Sequence, residues 1–458
     1  MATKIFTGEM PELLESILNN LSNEIHSLYS CAFVNRYWCK MSIPILWQDP
    51  FALEQRDPSF IYQYFSVLCE DEKLRLKNFG IDIEISKPLF DYAKFLKVLR
   101  LNNLEFKVKK WTDIKHLELD NSSKIHIINL LIKLFAESGA TLHKLDLHFI
   151  NYEINLEIFY SLEQNEIFFS QLRNLYLNTA SRLNTECTAT LLRTLAKNTS
   201  KIRFLQLGRT NFGHVPQLFY IDSLKCMIKS QEQIKQVILY GLDSTHFHSI
   251  IKALKSQKNS LQEVKIENCD YNAKPEVLKI FENLETLHIR VFYRPHLLKI
   301  VNCKVRNLNL EVADSEIDGS IMVHILENSG TFLQQLTLNS KNNILNENLL
   351  IETLKSFCPN IKYLNISGIG FSKQFITLIE TLQKLQFLKL WVYDDNYDDD
   401  EELTMLVTQF AKVLPLTLQY LDLKENTWLK KYLFIFLKHC KVHLKTLLID
   451  DVYNEERP

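Results

Sequence analysis

The chain has 458 residues, enough for about three globular domains or one elongated repeat array. Lys and Arg number 53 against 54 Asp and Glu, and a net charge of −1 argues against a generally basic binder of nucleic acid or anionic membrane. Apolar residues make up 46%, too many for a disordered chain, and the 10 glycines form no phosphate-cradling loop or nucleophile elbow.

The chain opens without the long apolar core of a signal peptide, and its most apolar stretch, 125–136, is too short to span a bilayer. Nine cysteines at scattered spacings contain no CxxC pair, so neither a zinc ribbon nor a dithiol redox motif is expected. The expected setting is intracellular and reducing, cytoplasmic or nuclear.

Residues 8–50 read as three short helices. Pro11 takes a first-turn position ahead of Leu14, Ile17, Leu18 and Leu21 on one stripe. Leu28, Cys31 and Ala32 keep helical spacing in the next segment, and Trp38, Leu46 and Trp47 complete a compact apolar set. So small a core usually needs a staple or a partner, and no disulfide or metal set is in sight. Residues 51–95 read as a rigid helical spacer, with Asp57-Pro58 as a helix cap and first-position proline.

From residue 96 to 458 one phrase returns: aliphatic, two variable residues, aliphatic, one variable residue, aliphatic. Copies start at Leu96, Ile114, Leu142, Leu172, Ile202, Ile234, Leu261, Leu284, Val305, Leu333, Ile361, Leu385, Leu418 and Leu444. The mean interval is (444 − 96)/13, or about 27 residues, inside the range of leucine-rich repeats. Between phrases the apolar period becomes helical, as at Leu349, Leu350, Leu354 and Phe357 and again at Leu403, Leu406, Val407, Phe410 and Val413. Each unit thus reads as a strand, a turn and a returning helix, which buries its apolar face only by stacking on its neighbours.

The phrase resembles that of the leucine-rich-repeat family, which implies an α/β solenoid, a curved parallel sheet with outer helices. Only Cys269 and Asn426 stand where that family usually places Cys or Asn after the strand. The N-terminal set Met10, Pro11, Leu13, Leu14, Ile17, Leu18, Leu28, Cys31, Val34, Trp38, Leu46 and Trp47 resembles the F-box motif, departing from it by Met10 in place of Leu and by Ser27 in place of an acidic residue. The pair implies a substrate-recognition subunit of an SCF-type (cullin–RING) E3 ubiquitin ligase. On that resemblance Met10, Pro11, Leu14, Ile17, Leu18, Leu28, Val34, Trp38, Leu46 and Trp47 would dock on the ligase's adaptor, and through it on cullin. The repeats would hold an unknown target protein, with catalysis left to the recruited conjugating enzyme. A helical cap on the solenoid edge is the plainer reading of the first helices, and a repeat scaffold or inhibitor without a ubiquitin role is the alternative for the whole chain.

The phrase also sets side-chain direction. Its fourth and sixth positions point to the core and its third, fifth and seventh outward. Third positions in three successive repeats are Tyr363, Phe387 and Tyr420, and Trp391 follows at a seventh. Adjacent outward aromatics are typical of interaction hot spots. Beside them runs the acidic stretch 394–402, whose Asp398, Asp399 and Asp400 would steer a basic client segment, or simply serve the start of the next helix. That stretch fails as a calcium loop, with Asp399 at the turn-glycine place and Met405 at that of the bidentate Glu. His246 and His248 lack a third ligand and read as a solvated pair. No nucleophile–base pair, catalytic residue, metal set or cofactor site emerges.

Overall fold

The structure, a computed structural model, describes residues 10–22, 24–52, 57–81, 88–147, 156–178, 185–208, 218–270, 275–292, 303–313, 316–392 and 400–449. The chain forms two compact units, one ending at Ile234 and one beginning at Lys235.

The first unit opens with helices α1 (Pro11–Asn20), α2 (Ile25–Ala32) and α3 (Arg36–Leu46), then α4 (Ile61–Phe65) and α5 (Glu70–Asn78). Strands β1 (Val98–Arg100), β2 (Lys144–Asp146), β3 (Asn174–Asn178) and β4 (Phe204–Gly208) pair in parallel, each with the next. Helices α6 (Leu101–Ile114), α7 (Asn121–Glu137), α8 (Leu156–Gln164), α9 (Thr185–Asn198) and α10 (Leu218–Ser230) lie between and after them in sequence.

The second unit repeats the plan with nine strands in sequence order. They are β5 (Gln236–Tyr240), β6 (Glu263–Glu267), β7 (Thr286–Val291), β8 (Asn307–Val312), β9 (Gln335–Ser340), β10 (Tyr363–Ile369), β11 (Phe387–Val392), β12 (Tyr420–Asp422) and β13 (Thr446–Leu448). Its helices are α11 (Ser244–Leu254), α12 (Gly319–Ser329), α13 (Glu347–Phe357), α14 (Lys373–Thr381), α15 (Asp400–Val413) and α16 (Leu433–His439). Both units are α/β arrays of the leucine-rich-repeat solenoid type.

Thirteen of the fourteen phrases carry a described strand, each starting two residues after its first aliphatic. Along most of the strands the third and fifth positions stay partly exposed while the fourth and sixth are buried, as at β6 and β8. The reason is elementary: side chains of a strand alternate, and only one face meets the helices.

The exception is the phrase at Ile114. Ile114 ends α6, His116 adopts a positive φ of 53°, and Leu117 and Leu119 lie half-buried in the connection to α7. The helix wins because Leu104, Val108 and Trp111 anchor its inner face, leaving the next aliphatics no neighbouring strand to pair with. Without this copy the mean interval is (444 − 96)/12, or 29 residues.

Helix starts follow capping chemistry. Asn35, Asp120, Asp318 and Ser372 each accept a hydrogen bond from a backbone N–H of the first turn, at 2.9, 2.9, 2.9 and 3.2 Å. Asp57 likewise accepts from Ser59 N at 2.9 Å with Pro58 behind it, as the sequence predicts, and these bonds hold its carboxyl below the usual range. Two side-chain expectations are corrected. On α13 the buried stripe is Leu350, Ile351 and Leu354, while Leu349 and Phe357 are exposed. His246 is interior rather than solvated: it pairs through Nδ1 with Asp243, whose carboxylate also accepts from the amides of Thr245 and His246 at the start of α11.

The region after α3 is packed onto the array. Trp47 lies 4.1 Å from Tyr92 and 5.5 Å from Tyr64 between ring centroids, and Tyr64 meets Phe135 of α7 at 5.0 Å. The Gln48 carbonyl accepts from Lys97 N at 2.9 Å and Val98 N at 3.0 Å, and Asp49 pairs with Arg100 on β1. This segment closes the edge of the first strand.

Candidate protein-binding surfaces

The outward face of β10, β11 and β12 holds a ladder of rings. Register sets Tyr363 opposite Phe387 and Phe387 opposite Tyr420. The rings of Tyr363 and Phe387 stack at 4.2 Å and 11°, and those of Phe387 and Tyr420 at 4.2 Å and 8°. Aromatic pairs of this sort contribute about 0.5–1.5 kcal/mol each beyond the area they bury. All three rings remain partly exposed, so the ladder presents an apolar ridge. Burial raises the Tyr363 hydroxyl above its ordinary pKa, with Tyr420 and Asp422 adding to the effect.

Trp391 shares this face, four residues beyond Phe387 on β11 and opposite Ser367. A bulge shapes that end. Gly368 adopts φ of 76°, and a Cβ there would lie 2.3 Å from the carbonyl oxygen of Asn342, so only glycine fits. The Ser367 hydroxyl beside it accepts from Ser340 N at 2.8 Å and bonds Asn339 Oδ1 at 2.9 Å. Asn426 closes the other end: it accepts from Val392 N at 2.9 Å and donates to Leu390 O at 2.7 Å, tying β11 to the turn after β12. Cys269 is buried after β6 in the equivalent place, its thiol pushed up to about 12 by burial.

Charges flank the ridge. Lys389, between Phe387 and Trp391, lies 3.9 Å from Asp422 and 3.7 Å from Glu425. Lys389 is half-exposed and Glu425 exposed, while Asp422 is buried beneath them although the fifth position of the phrase points outward; none of the three was in the sequence-predicted set. Asp398 and Asp399 lie outside the described residues. Asp400 does not stand free for a client: it accepts from Tyr432 at 2.5 Å and pairs with Lys431 at 2.6 Å while opening α15. Hydrogen bonds from Lys431 and Tyr432 hold its carboxyl below the usual range.

The N-terminal helices divide the predicted docking residues into two groups. Leu14, Leu18 and Leu28 form the core of the three helices, and Trp38, Leu46 and Trp47 are also buried. In the chain by itself these six are packed inside, Trp47 against Tyr64 and Tyr92. Met10 is half-buried and Pro11 exposed. Ile17 and Val34 are exposed at 37% and 47%, and Leu13, Tyr29 and Phe33 join them, Phe33 at 84%. The sequence signal for Phe33 was present but unread: it follows the last residue of α2, beyond the reach of the helix's buried stripe.

A third surface is polar. Across β6, β7 and β8, Lys265 pairs with Glu267 at 2.5 Å, and Glu311 faces Arg290 at 3.5 Å and His288 at 3.6 Å. The His288 contact leads the causes that hold the Glu311 carboxyl below its ordinary value. Among the described residues no group of three or more His, Cys, Asp or Glu is placed to hold a metal ion, and no helix is long and apolar enough to cross a membrane.

No protein-family model matches the chain, and no curated protein matches it by sequence. Solved structures do. A chain of the yeast Rad7 and Elc1 complex is 14% identical, covering 71% of this chain and 82% of that one, with a TM-score of 0.36. The leucine-rich repeat-containing protein LegL7 of Legionella pneumophila is 14% identical over 65% of this chain and 100% of its own, at 0.35. A leucine-rich-repeat protein of Leptospira interrogans is 15% identical over 68% and 80%, at 0.33. Each superposition is loose.

Proposed function

We propose that the chain is the substrate-recognition subunit of an SCF-type E3 ubiquitin ligase, a non-catalytic part that docks by its N-terminal helices on the adaptor and holds a target protein on the repeats. The observation that supports it most is the split within the first three helices. Leu14, Leu18, Leu28, Trp38 and Leu46 are buried in them, yet Leu13, Ile17, Tyr29, Phe33 and Val34 stay outside. So many exposed apolar side chains in one short segment are what a partner would cover. The ridge of Tyr363, Phe387 and Tyr420, with Trp391 beside it, is the target-binding part of the proposal, since clustered aromatics dominate protein interfaces. Recruitment then raises the effective concentration of a target lysine near the conjugating enzyme.

The test is adaptor binding by the full chain and by Phe33→Asp with Val34→Asp. Both positions are exposed, so the melting temperature should hold. Affinity should fall about a hundredfold, the ~3 kcal/mol that unpaired carboxylates cost in an apolar contact. Leu14→Asp is the wrong probe, since it places a charge in the helices' own core. If the unmodified chain shows no adaptor binding, the ligase assignment fails and a repeat scaffold takes its place.

A further inference from the structure

The last repeat of the second unit differs from the repeats before it. Between Glu425 and Asp450 the sequence holds five lysines and two histidines and no acidic residue, in a chain of net charge −1. Lys438, Lys441 and Lys445 are exposed. Helix α16 buries Phe436 alone, whereas α14, inside the array, buries Phe375, Ile376, Leu378 and Ile379. Phe434 is 78% and Leu437 53% exposed.

Strand β13 is equally unfinished. Its inner side pairs with β12: Lys445 and Thr446 donate to Gln419 O at 2.8 and 3.1 Å, and Leu448 O accepts from Leu423 N at 2.8 Å. Nothing among the described residues pairs with its outer side. A parallel ladder alternates its hydrogen bonds between sides, so the N–H and C=O of Leu447 belong to that open edge. Leu444 and Leu447 are half-exposed, at phrase positions where Ile361, Leu364, Leu385 and Leu388 are fully buried.

We propose that this C-terminal edge is a docking surface for an acidic, extended segment of a partner protein, which adds a strand to β13. The open backbone edge selects a polypeptide over a lipid surface, because only a strand pairs with it in register. The apolar step of Phe434, Leu437, Leu444 and Leu447 selects alternate apolar side chains. The lysines select acids between them and disfavour a second copy of this chain, whose edge carries the same charge. Edge lysines also discourage chance strand pairing, but that role leaves Phe434 and Leu437 uncovered.

The probe is a short labelled peptide alternating Glu with Val and Ile, titrated against the full chain by fluorescence anisotropy. It should bind, weaken as salt rises, and slow amide hydrogen exchange at 446–448. Lys438→Glu with Lys441→Glu and Lys445→Glu, all surface changes, should lower its affinity by about tenfold or more while the melting temperature holds. The same peptide N-methylated at alternate residues keeps its charge and loses the edge hydrogen bonds, and it too should bind about tenfold more weakly. Equal binding by the N-methylated peptide, or by the triple variant, overturns the proposal. So does failure of the peptide to bind, including the case in which phosphatidylserine vesicles bind in its place.

Discussion

At β1 the carbonyl of Gln48 occupies the strand's edge, Asp49 pairs with Arg100, and the rings of Trp47, Tyr64 and Tyr92 pack beside it. At β13 no described residue does any of these things, and the helix that follows the same plan as its predecessors buries one side chain where α14 buries four. Both strands are only three residues long and carry the same phrase. The difference lies in the neighbours. A repeat buries its apolar face against the next repeat, so each end of an array needs something unlike a repeat to cover it. Among the described residues the chain supplies that cover at β1, and an apolar, lysine-bearing edge stands at β13.

Removing the cover at the first end should have the largest effect. Trp47→Ala deletes the ring that joins α3 to Tyr64 and Tyr92, and should cost about 3–5 kcal/mol of the first unit's stability in urea unfolding. A loss under about 1 kcal/mol would mean that the aromatic cluster does not seal the edge.

A matched pair sharpens the contrast further along the array. Leu388 and Leu447 hold the same fourth position of the phrase, but Leu388 is fully buried and Leu447 half-exposed. Leu388→Ala should cost about 3 kcal/mol and Leu447→Ala roughly 1, since the cost follows burial and the cavity left behind. Equal losses would show the second edge to be covered after all.

The smallest effect concerns the polar face of β6 to β8 in the second unit. Glu311 has its pKa lowered, chiefly by His288 and also by Arg290 and Asn309. A carboxylate with a depressed folded value contributes stability above its ordinary value of 4.5, and that contribution fades as pH falls through the folded value. Glu311→Gln should therefore lower the melting temperature slightly at neutral pH and leave it little changed well below about pH 4.5, so that acidification costs the variant less. An unaltered acid profile would show that the cluster adds nothing to the second unit's stability.

Much of the array was legible because its signal is local. An aliphatic at positions one, four and six places a strand and fixes which side chains face out, so Tyr363, Phe387 and Tyr420 could be named as neighbours before their register was known. The apolar set of the first three helices was legible, but its members could not be sorted into buried and exposed. Leu14 and Ile17 are three residues apart on one helix and look alike in sequence, yet one is buried and the other exposed. The sorting depends on the positions of α2 and α3, which no single-helix pattern contains.

The sequence by itself determined where thirteen strands begin, the direction of their side chains and the helical returns between them. Alternation and helical period are properties of neighbouring residues, and burial of one face enforces them. Tertiary structure decided the rest. It made the phrase at Ile114 a helix end, because Trp111 and Val108 are anchored in the core and no strand lies beside Leu117. It engaged Asp400 with Lys431 and Tyr432, residues 31 and 32 positions away, where the sequence showed only an acidic run. It left Leu447 half-exposed although its phrase matches that of Leu388, because burial belongs to the pair of repeats in contact, and nothing described stacks beyond β13.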